Sequence, residues 1–360
     1  MKQYYRVGSK TFKNFWAGLR ESAQSGHFCE YIIPDDYKQS FLDINPQKLS
    51  DNYTLMNQKA EYLLKNYKCR LHYSGGIDSH TLVTLKKWPM YYMYLRGLID
   101  VRHVDEEYMF GYDYLIENNL PNQIRYITLD DYNVWKDLEA PFKYADYYNG
   151  ISPTWLSGYA ISQDTTYDLE VTGYEKPLLY RTKSAYYWLL SNGFDTLSGT
   201  RRVDFFLDDY FPELAVKQVY TYYNYFLENY PNKFGFITWK STQQLTLLKN
   251  MGRDINRPSQ PFKSDKQYTN NSYINYKQLR QIQELQQLGR QDILTDWINC
   301  TKHLIETIKS APYGIDIVEV QIPELGTVQI PKKIDRIGAI YKILPNGLKL
   351  LDHTDINLLT

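Results

Sequence analysis

Ser74-Gly75-Gly76-Ile77-Asp78-Ser79 brings together residue types suited to handling phosphate. Glycine lets backbone N–H groups approach anionic oxygens with no Cβ in the way. A strand before the glycines and a helix after them would add the partial positive charge of a helix start. Ser74 and Ser79 contribute hydroxyl donors, and Asp78 can either order the loop or reach a magnesium ion. No Gly-Lys-Ser/Thr follows, so this is not the Walker loop and no lysine is supplied to a γ-phosphate. The plain alternative is a tight strand-to-helix turn with a serine cap. At average residue usage the pattern arises by chance in roughly one such chain in a thousand or fewer.

The flanking sequence supplies the elements that must position such a loop. Cys69–Tyr73 reads as a short strand running into Ser74, and His80–Leu95 as the helix that follows. Leu98–Val104 is predicted as a second strand, Glu106–Asn119 as a second helix and Tyr126–Leu129 as a third strand. Ser152 before Pro153 marks the start of a helix to Ser162, and Asp168–Thr172 gives a fourth strand. Alternating strands and helices predict an α/β fold, a parallel sheet with helices on both faces. Residues 1–66 form a polar, aromatic N-terminal extension ending in an amphipathic helix from about Asn52 to Tyr67. The polar stretch 257–271 reads as a linker. Beyond it, residues 272–360 are helical (Tyr276–Leu288 and Asp292–Lys309, broken at Gly289) and then β-rich over Asp316–Leu344, with a turn at Pro323-Glu324-Leu325-Gly326.

Placed at the end of a first strand, SGGIDS resembles the signature of the PP-loop, or N-type, ATP pyrophosphatases. Over residues 67–265 the chain looks most like the asparagine-synthase-like proteins of large phages. The further segments are Val171-Thr172-Gly173-Tyr174-Glu175-Lys176-Pro177, similar to a fourth-strand Gly-x-Glu element, and Phe205-Phe206-Leu207-Asp208-Asp209-Tyr210-Phe211-Pro212-Glu213. The resemblance implies an adenine nucleotide alpha hydrolase-like fold over 67–256, with ATP and Mg2+ bound. Its β,γ-pyrophosphate would lie on Ser74, Gly75, Gly76, Ile77, Asp78 and Ser79, with Gly173 close by. It implies catalytic roles for Asp78, Glu175 and Lys240, and magnesium ligation by Asp78 and Glu175. The expected reaction adenylates a small-molecule acceptor, releases pyrophosphate and joins the acceptor to ammonia or an amine. A nucleobase in tRNA or DNA as acceptor, and a non-catalytic ATP-binding regulator, are the alternatives.

Absences sort among these outcomes. Cys29, Cys69 and Cys300 are far apart with no CxxC pair, so neither a zinc cluster nor a paired-thiol sulfur transfer can be built. Residue 2 is Lys2, not the nucleophile of a glutaminase. Within the family that the loop resembles, these absences point towards carbon–nitrogen ligation. Other candidates have two readings each. Asp105 and Glu106 are either ribose or substrate contacts or a solvated helix start. Lys176, Arg181 and Lys183 hold pyrophosphate or a substrate carboxylate or begin a basic helix, and Arg253 joins Lys240 as a late basic residue near phosphate. His80 touches phosphate or is a partly exposed first-turn side chain. The pairs Tyr91-Tyr92, Tyr147-Tyr148, Tyr186-Tyr187 and Tyr222-Tyr223 stack on bases or serve in helix packing.

The 360 residues balance 41 Lys and Arg against 41 Asp and Glu, so no global field favours nucleic acid. No apolar run is long enough to span a bilayer, and the start MKQYYRVGSK has no apolar signal region. A soluble, cytoplasmic protein of bacterial or virus-infected cells is expected, able to form a homo-oligomer.

Overall fold

Aspartate 51 starts the helix Asn52–Asn66 by accepting from the Thr54 N–H at 3.0 Å, and Leu55, Met56, Ala60 and Leu63 line its buried face. In the computed structural model the described residues are 4–73, 75–94, 106–120, 124–126, 129–144, 166–173, 176–191, 202–237, 245–253, 282–283, 285–322, 324–334 and 336–359.

The protein is mixed α/β, and its centre is a five-stranded sheet in which every pairing is parallel. Its strands in chain order are Cys69–His72, Met90–Tyr94, Ile124–Tyr126, Leu169–Thr172 and Arg202–Asp204. Across the sheet they run third, second, first, fourth, fifth. The order therefore reverses between the first and fourth strands, where Cys69, Arg70 and Leu71 lie opposite Leu169, Glu170 and Val171. All four residues of Leu169–Thr172 are buried, so both faces of the sheet are covered, as parallel sheets require. On one face Cys69 donates its thiol to the Leu63 carbonyl of the Asn52–Asn66 helix at 3.4 Å. On the other, Glu170 receives Arg70 at 2.6 Å and His72 at 2.7 Å.

Several boundaries depart from the sequence reading. The helix expected over His80–Leu95 spans only Ile77–Leu85, and Met90–Tyr94 is the second strand. Pro89 explains the break, because it offers no N–H and keeps Trp88 out of helical geometry. Trp88 Nε1 donates back to the Leu82 carbonyl at 2.9 Å. The third strand is Ile124–Tyr126, and Leu129 instead opens a 3-10 helix to Lys136. The fourth strand is Leu169–Thr172, against the expected Asp168–Thr172, and the fifth, only three residues long, was not foreseen. The expected strand Leu98–Val104, the helix Ser152–Ser162 and the linker 257–271 lie outside the described residues.

A second five-stranded sheet is ordered Gly235–Ile237, Leu178–Arg181, Tyr186–Ser191, Ile337–Leu344, Gly347–Leu350. Its second and third members follow the fourth parallel strand along the chain, its first comes after the fifth, and its last two come from the tail. Strand pairing therefore crosses the expected 257–271 boundary. The tail is β-rich as expected, with a hairpin of Ile315–Ile322 and Gly326–Lys333 ahead of these strands. Residues 1–66 add a three-stranded sheet, in which Tyr4–Val7 is flanked by Lys10–Phe12 and Cys29–Ile32. One apolar core runs from Tyr5 to Leu348.

The end of the fifth strand is tied down by a buried ion pair. Lys59, on the Asn52–Asn66 helix, meets Asp208 Oδ1 at 2.7 Å. Burial pushes the Asp208 carboxyl up to about 6, and Lys59 offsets only part of that. A carboxyl with a raised folded pKa favours folding most when protonated, below its unfolded pKa of about 3.9. Its contribution therefore falls as pH rises from about 4 to about 6. Urea unfolding of wild type and Asp208→Asn across this range is expected to show wild type losing ground to the variant as pH rises. A constant difference would mean that Asp208 does not titrate there.

Candidate functional site

Open parallel sheets bind ligands beyond the carboxyl ends of their strands, at the point where strand order reverses. Here that crevice lies between the segments following the first and fourth strands. The first contains Gly75 at φ +74°, a left-handed backbone that a side chain would strain, and Gly76 as the N-cap of the helix Ile77–Leu85. The N-cap, a glycine, has no side chain with which to cap that helix start. Ser79 Oγ donates to the Gly76 carbonyl at 3.1 Å, closing the turn from within.

After the fourth strand comes Gly173. A Cβ there would lie 3.1 Å from Leu82 Cδ1 and from Phe206 Cε2, and 3.4 Å from the Asp78 carbonyl carbon. The bare backbone lets the end of the fourth strand close on the loop helix and on the segment after the fifth strand. Three residues on, Lys176 Nζ donates to Asp78 Oδ2. From the far side, Arg253 Nε donates to Asp78 Oδ1 at 2.7 Å. One carboxylate, 17% exposed, is thus shared by two cations whose sequence positions lie 98 and 175 residues away.

Burial by itself would raise the Asp78 carboxyl, but the charges of Lys176 and Arg253 outweigh it, and the net direction is down. Burial lowers the Arg253 guanidinium, against the pull of Asp78 and Asp204. Asp204 Oδ1 is itself held by the N–H groups of Phe206 at 2.9 Å and Leu207 at 3.2 Å.

Arg253 is fixed by its surroundings. Its Nη1 donates to Gln218 Oε1 at 3.1 Å and to the Met251 carbonyl at 3.0 Å, and its guanidinium carbon sits 3.4 Å from the centre of the Phe206 ring. Gln218 Nε2 in turn donates to Asn52 Oδ1 at 2.7 Å, and Asn52 Nδ2 to the Asn250 carbonyl at 2.7 Å. A chain of buried hydrogen bonds thus links the N-terminal extension to the crevice. Arg253 Nη2 is buried and has no hydrogen-bond partner among the described residues.

The structure therefore brings together Gly75, Gly76, Ile77, Asp78, Ser79 and Gly173, joined by Lys176 and Arg253. Ser74, Glu175, Lys240 and Asp105 lie outside the described residues, and Glu106 begins the helix Glu106–Glu117. Arg181 belongs elsewhere, and to a strand, Leu178–Arg181, in place of the expected helix start: it donates to the Tyr230 carbonyl and lies against the Tyr186 and Phe234 rings, with Lys183 exposed in the turn beyond. His80 is not the partly exposed side chain expected at a helix start. It is buried, hydrogen-bonded to Tyr73 Oη at 3.0 Å and edge-on to Tyr114. Tyr186, Tyr187 and Tyr222 are buried in packing. The Cys69 thiol is buried and pushed up to about 12, which suits a structural residue. Gln218 and Asn52 had no signal in the sequence, since a buried amide has no characteristic spacing.

Among the described residues, no group of three or more His, Cys, Asp or Glu is placed to hold a metal ion, and no helix is long and apolar enough to cross a membrane. Asp78 nevertheless suits magnesium that arrives with phosphate, since such ions take one or two protein carboxylates and fill their other positions with phosphate oxygens and water. The arrangement offers a helix start and two fixed cations to an anion, and one carboxylate to a cation.

Gly173→Val should separate the elements this close approach joins. The expected outcome is about 1–3 kcal/mol lost in urea unfolding and a fall in tripolyphosphate affinity. Unchanged values in both would show that the approach does not hold the loop helix in place. Comparison with family models, with curated proteins and with solved structures finds no match for the chain.

Proposed function

We propose that the protein is an ATP-dependent synthetase of the ATP pyrophosphatase type, with an adenine nucleotide alpha hydrolase-like arrangement around its parallel sheet. The observation that carries this reading is the meeting of the Gly75-Gly76 turn, the following helix start, Lys176 and Arg253 at the strand-order reversal. ATP would lie across the carboxyl edge of the sheet with its β- and γ-phosphates at the helix start. Lys176 and Arg253 would take up negative charge as it builds on the departing pyrophosphate.

The chemistry is balanced without a protein nucleophile. An acceptor oxygen bonds to the α-phosphorus as the bond from that phosphorus to the bridging oxygen breaks, and pyrophosphate leaves. An amine or ammonia then attacks the activated carbon, loses a proton, and AMP departs. Magnesium, when bound, neutralises phosphate charge, and Asp78 is the described residue that would hold it. The protein's part is positioning and fixed electrostatics, which suffice for phosphorus-centred displacement. The lack of a reactive thiol at the crevice fits that division of labour.

The test follows α-labelled ATP with magnesium in the presence of candidate acceptors and ammonia. Wild type is expected to give AMP and pyrophosphate. Asp78→Ala and Lys176→Met should each fall by roughly 10²–10³ in rate, the usual effect of removing one preorganised electrostatic group. Formation of ADP instead would overturn cleavage at the α-phosphorus.

A further inference from the structure

We propose that Asp78 is a built-in counter-anion, and that polyphosphate enters this site by ion exchange. Lys176 and Arg253 pass from Asp78 to phosphate oxygens, while Asp78 passes to the divalent cation that accompanies them. The inference rests on the nucleotide reading above for the identity of the anion.

The geometry of the Arg253 fork carries the argument. Its Nη1 faces Gln218 and Met251. The opposite edge, formed by Nε and Nη2, faces Asp78, because the planar guanidinium fixes Nη2 on the same side as the Nε–H. Asp78 gives Oδ1 to Nε and Oδ2 to Lys176. As placed, Asp78 engages one cation through each of its two oxygens, and among the described residues Nη2 is left buried without a partner. A terminal phosphate has three, enough for both donors of the Arg253 edge and for Lys176 together. Arginine meets phosphate side-on through two parallel N–H···O bonds as readily as it meets carboxylate. The pocket formed by these three donors is thus better matched to phosphate than to the aspartate that fills it.

Exchange cannot proceed by halves. Asp78 is largely buried, and taking away both of its cations would strand a charge in a poorly solvated place. A divalent cation arriving with the phosphate supplies the missing partner. Anion and cation sites are therefore linked through one side chain, and each ligand raises the affinity for the other by the same factor. In the wild type, metal-free polyphosphate has to compete with Asp78 for Lys176 and Arg253. The bare cation has to compete with Lys176 and Arg253 for Asp78.

Titration calorimetry with inorganic tripolyphosphate and with Mn2+ as separate probes tests the exchange, on variants shown to be folded by circular dichroism. Asp78→Asn is expected to bind metal-free tripolyphosphate about tenfold tighter than wild type, with a smaller gain on adding Mg2+. Lys176→Met is expected to bind Mn2+ alone several-fold tighter than wild type, because Asp78 has lost one competitor. A merely structural role for the ion pair would weaken both affinities. Asp78→Asn binding tripolyphosphate no tighter than wild type, or Lys176→Met binding Mn2+ no tighter, overturns the exchange. The Lys176→Met result decides the matter alone if Asp78→Asn does not fold. Exchange behaviour as predicted, with no AMP formed from ATP, would uphold this inference and overturn the synthetase reading.

Discussion

One carboxylate shared between two cations ties the described parts of this molecule together. Asp78 lies in the first turn of the helix after the first parallel strand, Lys176 follows the fourth strand, and Arg253 follows the helix Leu245–Asn250. Each is useful at the crevice only if the other two are held, because a largely buried charge without its partner is costly. The closeness of Gly173 to Leu82, Phe206 and Asp78, the Phe206 ring beneath Arg253, and the Lys59–Asp208 pair that anchors Phe206's segment all serve to keep that meeting point intact.

The same constraint gives the outlying regions a task. Arg253 is held by Gln218, and Gln218 by Asn52, the first residue of the helix that ends the N-terminal extension. Residues 1–66 are therefore connected to the crevice through packing and hydrogen bonds. At the other end, the tail strand Ile337–Leu344 pairs with Tyr186–Ser191, with Trp188 stacked on Tyr341 and Phe41 edge-on to both. Tyr186–Ser191 is the partner of Leu178–Arg181, which begins two residues after Lys176. Lys176 is thus held between a strand of the parallel sheet and a strand of the second sheet.

What was legible in the sequence was local. Ser74-Gly75-Gly76-Ile77-Asp78-Ser79 announces a turn because glycine geometry and a helix start are written in neighbouring residues. Asn52–Asn66 announces itself through a capping aspartate and a periodic apolar face. Leu169–Thr172 showed as a short β-branched and apolar run, and the tail hairpin showed through its turn, where Glu324 and Gly326 have positive φ. The fifth strand, Arg202-Val203-Asp204, carries no pattern of its own. It is a strand because Arg202, Val203 and Asp204 pair with Glu170, Val171 and Thr172, a fact of tertiary structure. Met90–Tyr94 was misread because an aromatic run after a helix continues the helical period until Pro89 is given its due. The partners of Asp78 were visible as basic residues, but their convergence was not, since nothing in local sequence relates positions so far apart.

The composition of the crevice bears on what kind of chemistry it can host. Among the described residues it contains two cations, one carboxylate between them and a second, Asp204, engaged by backbone N–H groups, while His80 is hydrogen-bonded to Tyr73 and Cys69 to the Leu63 carbonyl. Among the described residues this site offers fixed charge and fixed geometry, and the three cysteines of the chain are all buried. Reactions that pass through a covalent enzyme intermediate ask for an activated nucleophile, whereas in-line displacement at phosphorus asks chiefly that charge be balanced and atoms aligned. The neutral balance of the whole chain sharpens the point. With no net field to draw an anion in, any selectivity at this crevice rests on the local match of donors to acceptors, and among the described residues Nη2 of Arg253 is the buried donor there that has no partner.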